Sequence, residues 1–199
     1  MNQKIKIEVE NKVYEVESGK TLLEISKIAN VKKQYDIILA KVDSIYKELN
    51  EKVFDDCKIE FLDLTNSYGN KIYLNGLIFL ITHAYKKLTG DNLKVNHSLD
   101  KGLYIESSTR NISIEDLTKL EEKMKELIDK DLPIEKLNVS RLNAIEYFKS
   151  NNEFEKVGNM KYNTNTLITL YKLEDTYNYF YSKMPTHTGV LKHFELTFL

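Results

Sequence analysis

Apolar and polar residues alternate at the start of the chain. In residues 4–9 (KIKIEV) every second position is apolar, the period of a half-buried strand, and residues 12–16 (KVYEV) are β-rich with a looser alternation. Glu10-Asn11 between them predicts a hairpin. Thr21-Leu-Leu-Glu24 then reads as a capping box, in which hydroxyl and carboxylate satisfy orphan amides of a short helix running to about Ala29. Strand-like segments follow at 37–42 and 58–62. The order β-β-α-β-β predicts a small ubiquitin-like β-grasp over residues 1–64. Residues 65–71, opening on the turn-forming TNSYGN, are the expected linker.

Beyond the linker the period lengthens. Residues 72–88 carry a helical pattern that stops at Thr89-Gly90-Asp91. Strands are expected at 93–95 and 103–106, around the turn Asp100-Lys101-Gly102. Ser113 with Asp116 opens a second helix, whose Leu117, Leu120, Met124, Leu127 and Ile128 form one apolar stripe. Pro133 ends it, a strand follows at 134–139, and Ser140 caps a third helix over 141–150. From Thr164 onward the pattern predicts strands in TLITLYKL, TYNYFYS and VLKHFELTFL. The fold class is α+β, with the second domain occupying residues 72–199.

Composition narrows the classes. The 199 residues carry 29 basic and 30 acidic side chains, a formal charge of −1, which disfavours a general nucleic-acid binder and any DNA partner. The longest apolar run, residues 77–81, is far short of the ~20 residues that span a bilayer, so no membrane partner is expected. MNQKIKIEVE lacks the apolar core of a signal peptide, and Cys57 is the single cysteine; both favour a cytoplasmic setting. Cys57 lies among acids that disfavour a thiolate nucleophile.

Phosphate-binding glycine loops of either common type are missing, so no cofactor is expected in these residues. The histidines at 83, 97, 187 and 193 include no i, i+4 pair, so no metal is expected either. His83 suits a packed or hydrogen-bonded role. His187, in Met184-Pro-Thr-His-Thr-Gly189, suits either an ordinary turn or a ligand-facing loop. Tyr177, Tyr179 and Tyr181 would share one face of a strand, as a half-buried surface or a stacking platform.

Residues 1–64, with KVYEVESGKTLLEIS, IILAKVDSIYKEL and CKIEFLDL, resemble a TGS domain. THAYKKL, Asp100-Lys-Gly-Leu-Tyr104, the Glu115–Ser140 stretch and KHFEL resemble the editing-type additional domain of threonyl-tRNA synthetase. That family lines its editing pocket with His-x-x-x-His and Cys-x-x-x-His. Asn75 and Phe79 match the first pair, Phe180 and Met184 the second, so the resemblance implies a pocket without catalytic residues. It would be formed by Asn75, Phe79, Tyr104, Phe180 and Met184, with His187 alongside, and would take a small ligand or an RNA end. DLPIEK, YNYFYSKMP and the segment from Thr188 to Phe194 further resemble the N-terminal half of uridine kinase-like proteins. That likeness implies an accessory module acting in cis on a nucleoside kinase domain beyond residue 199, where ATP and magnesium would bind. The alternative it leaves open is aminoacyl-tRNA editing or tRNA binding.

Overall fold

The computed structural model describes all residues except 1, 2, 100, 101, 108, 163 and 199, with side chains left out at 97–99 as well. The predicted turn at Asp100-Lys101 therefore lies outside the described residues.

The first unit is a five-stranded mixed sheet with one helix. Strands β1 (Lys4–Val9) and β2 (Lys12–Glu17) pair antiparallel from Lys4↔Glu17 to Val9↔Lys12. Glu10 and Asn11 turn the chain with φ of 50° and 63°, the left-handed pair that a tight hairpin requires. Helix α1 (Leu22–Ile28) starts on the Thr21–Glu24 capping box. Strands β3 (Leu39–Val42), β4 (Ile45–Lys47) and β5 (Cys57–Leu62) complete the order β2-β1-β5-β3-β4, with β1 parallel to β5. Ile5, Ile7, Val9 and Val16 of the alternating strands meet Leu22 and Ile25 of α1 in one core.

Helix α2 (Ser67–Thr89) links the two units, capped by Asn66, whose side chain accepts from the Tyr68 and Gly69 amides. The linker expected at 65–71 is thus mostly helix. TNSYGN reads as a turn because asparagine and serine favour turns and caps for the same reason, a short side chain that bonds the backbone. Strands β6 (Leu93–Leu99) and β7 (Gly102–Ser107) form a separate two-stranded ribbon. Helix α3 (Ile114–Asp129) carries the predicted stripe, with Leu120, Met124, Leu127 and Ile128 buried. Strand β8 (Glu135–Ser140), helix α4 (Arg141–Ser150) on its Ser140 cap, helix α5 (Phe154–Lys161), and strands β9 (Leu167–Leu173) and β10 (Thr176–Asn178) finish the regular structure.

Two strand expectations fail at the C-terminal end. The aromatic strand stops at Asn178, whose side chain caps the Tyr179 amide, so the tyrosines share no face. Tyr177 packs edge-on to Tyr147, whereas Tyr181 is 82% exposed and meets Tyr179. Among the described residues, 191–198 form no strand. A 3₁₀ turn (Thr188–Val190) drops Val190 and Leu191 together into the core, which breaks the alternation. The His193 amide then bonds the buried Tyr73 hydroxyl at 2.6 Å in place of a strand partner.

The largest core joins both units: Ile38, Leu39 and Leu62 of the first sheet pack with α2, the α3 stripe and β9. Among the described residues, no helix is long and apolar enough to cross a membrane.

Candidate functional site

Four of the six expected pocket residues do come together, around α2. Asn75 donates through Nδ2 to the Lys183 carbonyl at 3.3 Å. One turn on, Phe79 is fully buried, its ring 5.7 Å from that of Phe180, which in turn meets Tyr171 at 6.2 Å. Met184 is buried in the same core. Between Asn75 and Phe79, Gly76 sets the approach of the chain. A Cβ there would lie 2.5 Å from Pro185 Cγ and 2.8 Å from Leu191 Cδ2, so only glycine lets the 180–191 segment close onto the helix. The four side chains offer one amide and three apolar groups. They can pack, but they cannot polarise a water or hold a metal ion.

The polar group at this place comes from the first unit. Glu48, just past β4, has a side chain only 2% exposed. Its Oε1 accepts from the Tyr171 hydroxyl and from the Met184 amide at 3.0 Å, and its Oε2 from Lys136 Nζ at 3.1 Å. Burial, then the neighbouring Glu48 carboxylate, pushes the Tyr171 hydroxyl well above the usual phenol range, so it remains a donor. Nothing in the sequence marks Glu48. It stands among charged residues, and its partners lie 88–136 positions away.

Tyr104 and His187 lie elsewhere. Tyr104, on β7, is 38% exposed and lines a groove of about 550 Å³ with Leu117 and Leu196. His187 lines a cleft of about 920 Å³ between the two units. Its Nδ1 bonds Asp131 Oδ1, which also accepts from the Gly189 amide at 3.0 Å. The six residues therefore do not enclose one pocket.

His83 is both packed and hydrogen-bonded, the structural role expected of it. Fully buried on α2, it places Nδ1 2.7 Å from Thr176 Oγ1 and Nε2 3.0 Å from Glu174 Oε2. Both nitrogens are satisfied with a neutral ring if Thr176 donates and Nε2–H points to Glu174. His83, Glu174 and Asp175 are also the one set of donor atoms, among the described residues, grouped closely enough for a metal ion. However, Lys87 already supplies a positive charge, 2.9 Å from Asp175 and 3.6 Å from Glu174.

Burial lowers the His83 pKa below its ordinary 6.5, against the pull of Glu174. The unfolded chain therefore takes up a proton here that the folded one resists. Stability should be full above about pH 6.5 and decline as pH falls below it. Unfolding at pH 7.5 and 5.5 checks this: the difference should shrink in a His83→Gln variant, and an unchanged difference refutes the assignment. Cys57 is equally unsuited to catalysis, its thiol pushed up to about 11, first by burial and next by Asp43.

No family model matches the chain. Over 188 residues it is 29% identical to the threonine–tRNA ligase of Thermotoga neapolitana, covering 92% of this chain and 28% of the relative. The same enzyme of Clostridium kluyveri is 30% identical over 175 residues, 86% of this chain and 28% of the relative. That of Thermotoga petrophila is 28% identical over 199 residues, 97% and 30% respectively. The chain is homologous to the N-terminal region of threonyl-tRNA synthetase. It spans under a third of the length of the synthetases it matches. Nothing in these comparisons supports the nucleoside kinase parent, nor ATP binding; the synthetase alternative is the one they back.

Proposed function

We propose that this chain is a synthetase-type RNA-binding region whose editing pocket has become structural core. The observation that carries the reading is the contact of Phe79 with Phe180 in the core that also buries Met184. Of the positions matching the family's histidines and cysteine, Phe79 and Phe180 pack together, Met184 is buried and Asn75 bonds the Lys183 carbonyl, which leaves no acid, base or thiolate to act on an ester. The first unit's order β2-β1-β5-β3-β4 around a single helix supports a β-grasp of the TGS type. The relatives are named for joining threonine to tRNA, and tRNA is the partner we carry over from them. A cytoplasmic location fits that partner.

Filter binding of tRNA and deacylation of seryl-tRNA test the two halves of the reading. The chain should retain tRNA on the filter, with affinity falling as salt rises, and should release no serine above the uncatalysed rate. Serine release by the chain would overturn the non-catalytic half. Failure to retain tRNA at low salt would overturn the other.

A further inference from the structure

We propose that the cleft between the two units is a binding site for a mononucleotide, a ligand with a phosphate, sugar hydroxyls and an aromatic base. Each of these three parts has a counterpart in the lining. For the phosphate there are Lys192 and Lys32; Lys32 makes no ion pair among the described residues, and Lys192 makes one with Asp36 at 2.8 Å. Both members of that pair are at least half exposed, so exchanging Asp36 for a phosphate costs little. For a hydroxyl there is His187. Its Nδ1 is engaged by Asp131, and Nε2, which has no protein partner among the described residues, can meet a hydroxyl as donor or acceptor. For the base there are the rings of Tyr35 and His193, which meet edge-to-face at 5.0 Å. Asp36 and Asp129 in the same lining add further acceptors for hydroxyls and work against a ligand that carries many phosphates.

The lining is also held in advance. Tyr35 is fixed through its amide, which donates to Asp63 Oδ2 at 3.1 Å, a residue almost fully buried. Buried Tyr73 takes the His193 amide. Around His187, Ile134 donates to the Thr186 carbonyl at 2.8 Å and Thr188 to the Leu132 carbonyl at 2.9 Å. The fully buried Thr188 hydroxyl donates to Leu127 and accepts from the Leu132 amide. Gly189 completes the arrangement, since a Cβ there would lie 2.2 Å from Asp131 Oδ1. Tyr35 of the first unit and His187 and His193 of the second thus have their backbone or ring held by protein partners before any ligand arrives. Such preorganisation and a junction between two units are usual for small-molecule sites. The site is separate from the packed editing positions and does not depend on the tRNA reading.

Titration of the full chain with AMP, adenosine and inorganic phosphate tests the proposal, followed by calorimetry and by the histidine ring signals in proton NMR. AMP should bind and move the His187 and His193 signals. His187→Ala and Lys192→Ala should each weaken AMP by about tenfold. Lys192→Ala should leave adenosine binding unchanged, and Tyr35→Ala should weaken AMP and adenosine but not phosphate. If His187→Ala unfolds, Lys192→Ala decides, because its exposed ammonium supports no core. No response to AMP at millimolar concentration overturns the proposal. So does AMP binding that Lys192→Ala leaves untouched, or a response of these signals to an RNA oligonucleotide but not to AMP.

Discussion

Glu48→Ala should lower the free energy of unfolding by about 3 kcal/mol, the scale for breaking a buried ionic hydrogen-bond node. The substitution removes one carboxylate and strands three donors. The Tyr171 hydroxyl and Met184 amide are buried and lose their acceptor, whereas the Lys136 side chain is about one-third exposed and can turn to water. The cost therefore lies mainly with the first two. Glu48→Gln separates charge from hydrogen bonding: its amide oxygen can still accept from Tyr171 and Met184, so it should cost about 1 kcal/mol. Because Glu48 belongs to the first unit and its three partners to the second, loss of the node should also loosen the junction. Denaturant unfolding followed by tyrosine fluorescence and by circular dichroism reads both effects. The two probes should coincide in the parent chain and separate in Glu48→Ala. Equal costs for Ala and Gln would show that the hydrogen bonds contribute nothing.

Local signals are legible in the sequence, and for a common reason. The Thr21–Glu24 and Ser113–Asp116 boxes and the Ser140 cap each act within three residues, and each appears where the spacing places it. The α3 stripe is buried because one face of a helix has one environment. What escaped was set by distant partners. Helix α5 has no side-chain cap hydrogen bond at Glu153, so no start signal announced it. His193-Phe-Glu-Leu alternates like a strand, yet its backbone is claimed by Tyr73, 120 positions away. At the candidate site, the residue types at 75, 79, 180 and 184 are an amide and three apolar groups, which is legible from the sequence alone. They could not reveal that Glu48 would occupy the polar role, nor that Tyr104 and His187 would face two different clefts. A charged residue in a charged stretch gives no hint that it is buried.

Phe79→Ala should cost about 4 kcal/mol and lower the unfolding midpoint by about 10 °C. The ring is fully buried, and two supports limit how far its surroundings can collapse into the space. On one side Phe180 is held by Tyr171, itself tied to Glu48; on the other, Pro185 and Leu191 already press on Gly76. A cavity that cannot relax keeps its full penalty. The Phe180→Ala variant should cost less, since that residue is only partly buried. The double variant should cost less than the sum of the two, because the 5.7 Å ring contact is lost only once. Phe79→His gives the functional form of the same test. It places an imidazole at the position that the resemblance matches to a family histidine, inside a core of mainly apolar side chains. It should therefore destabilise the fold by roughly 2–4 kcal/mol and restore no seryl-tRNA hydrolysis. A stable Phe79→His chain that bound zinc would mean that a working pocket survives there; a destabilised and inactive one is what a core position requires.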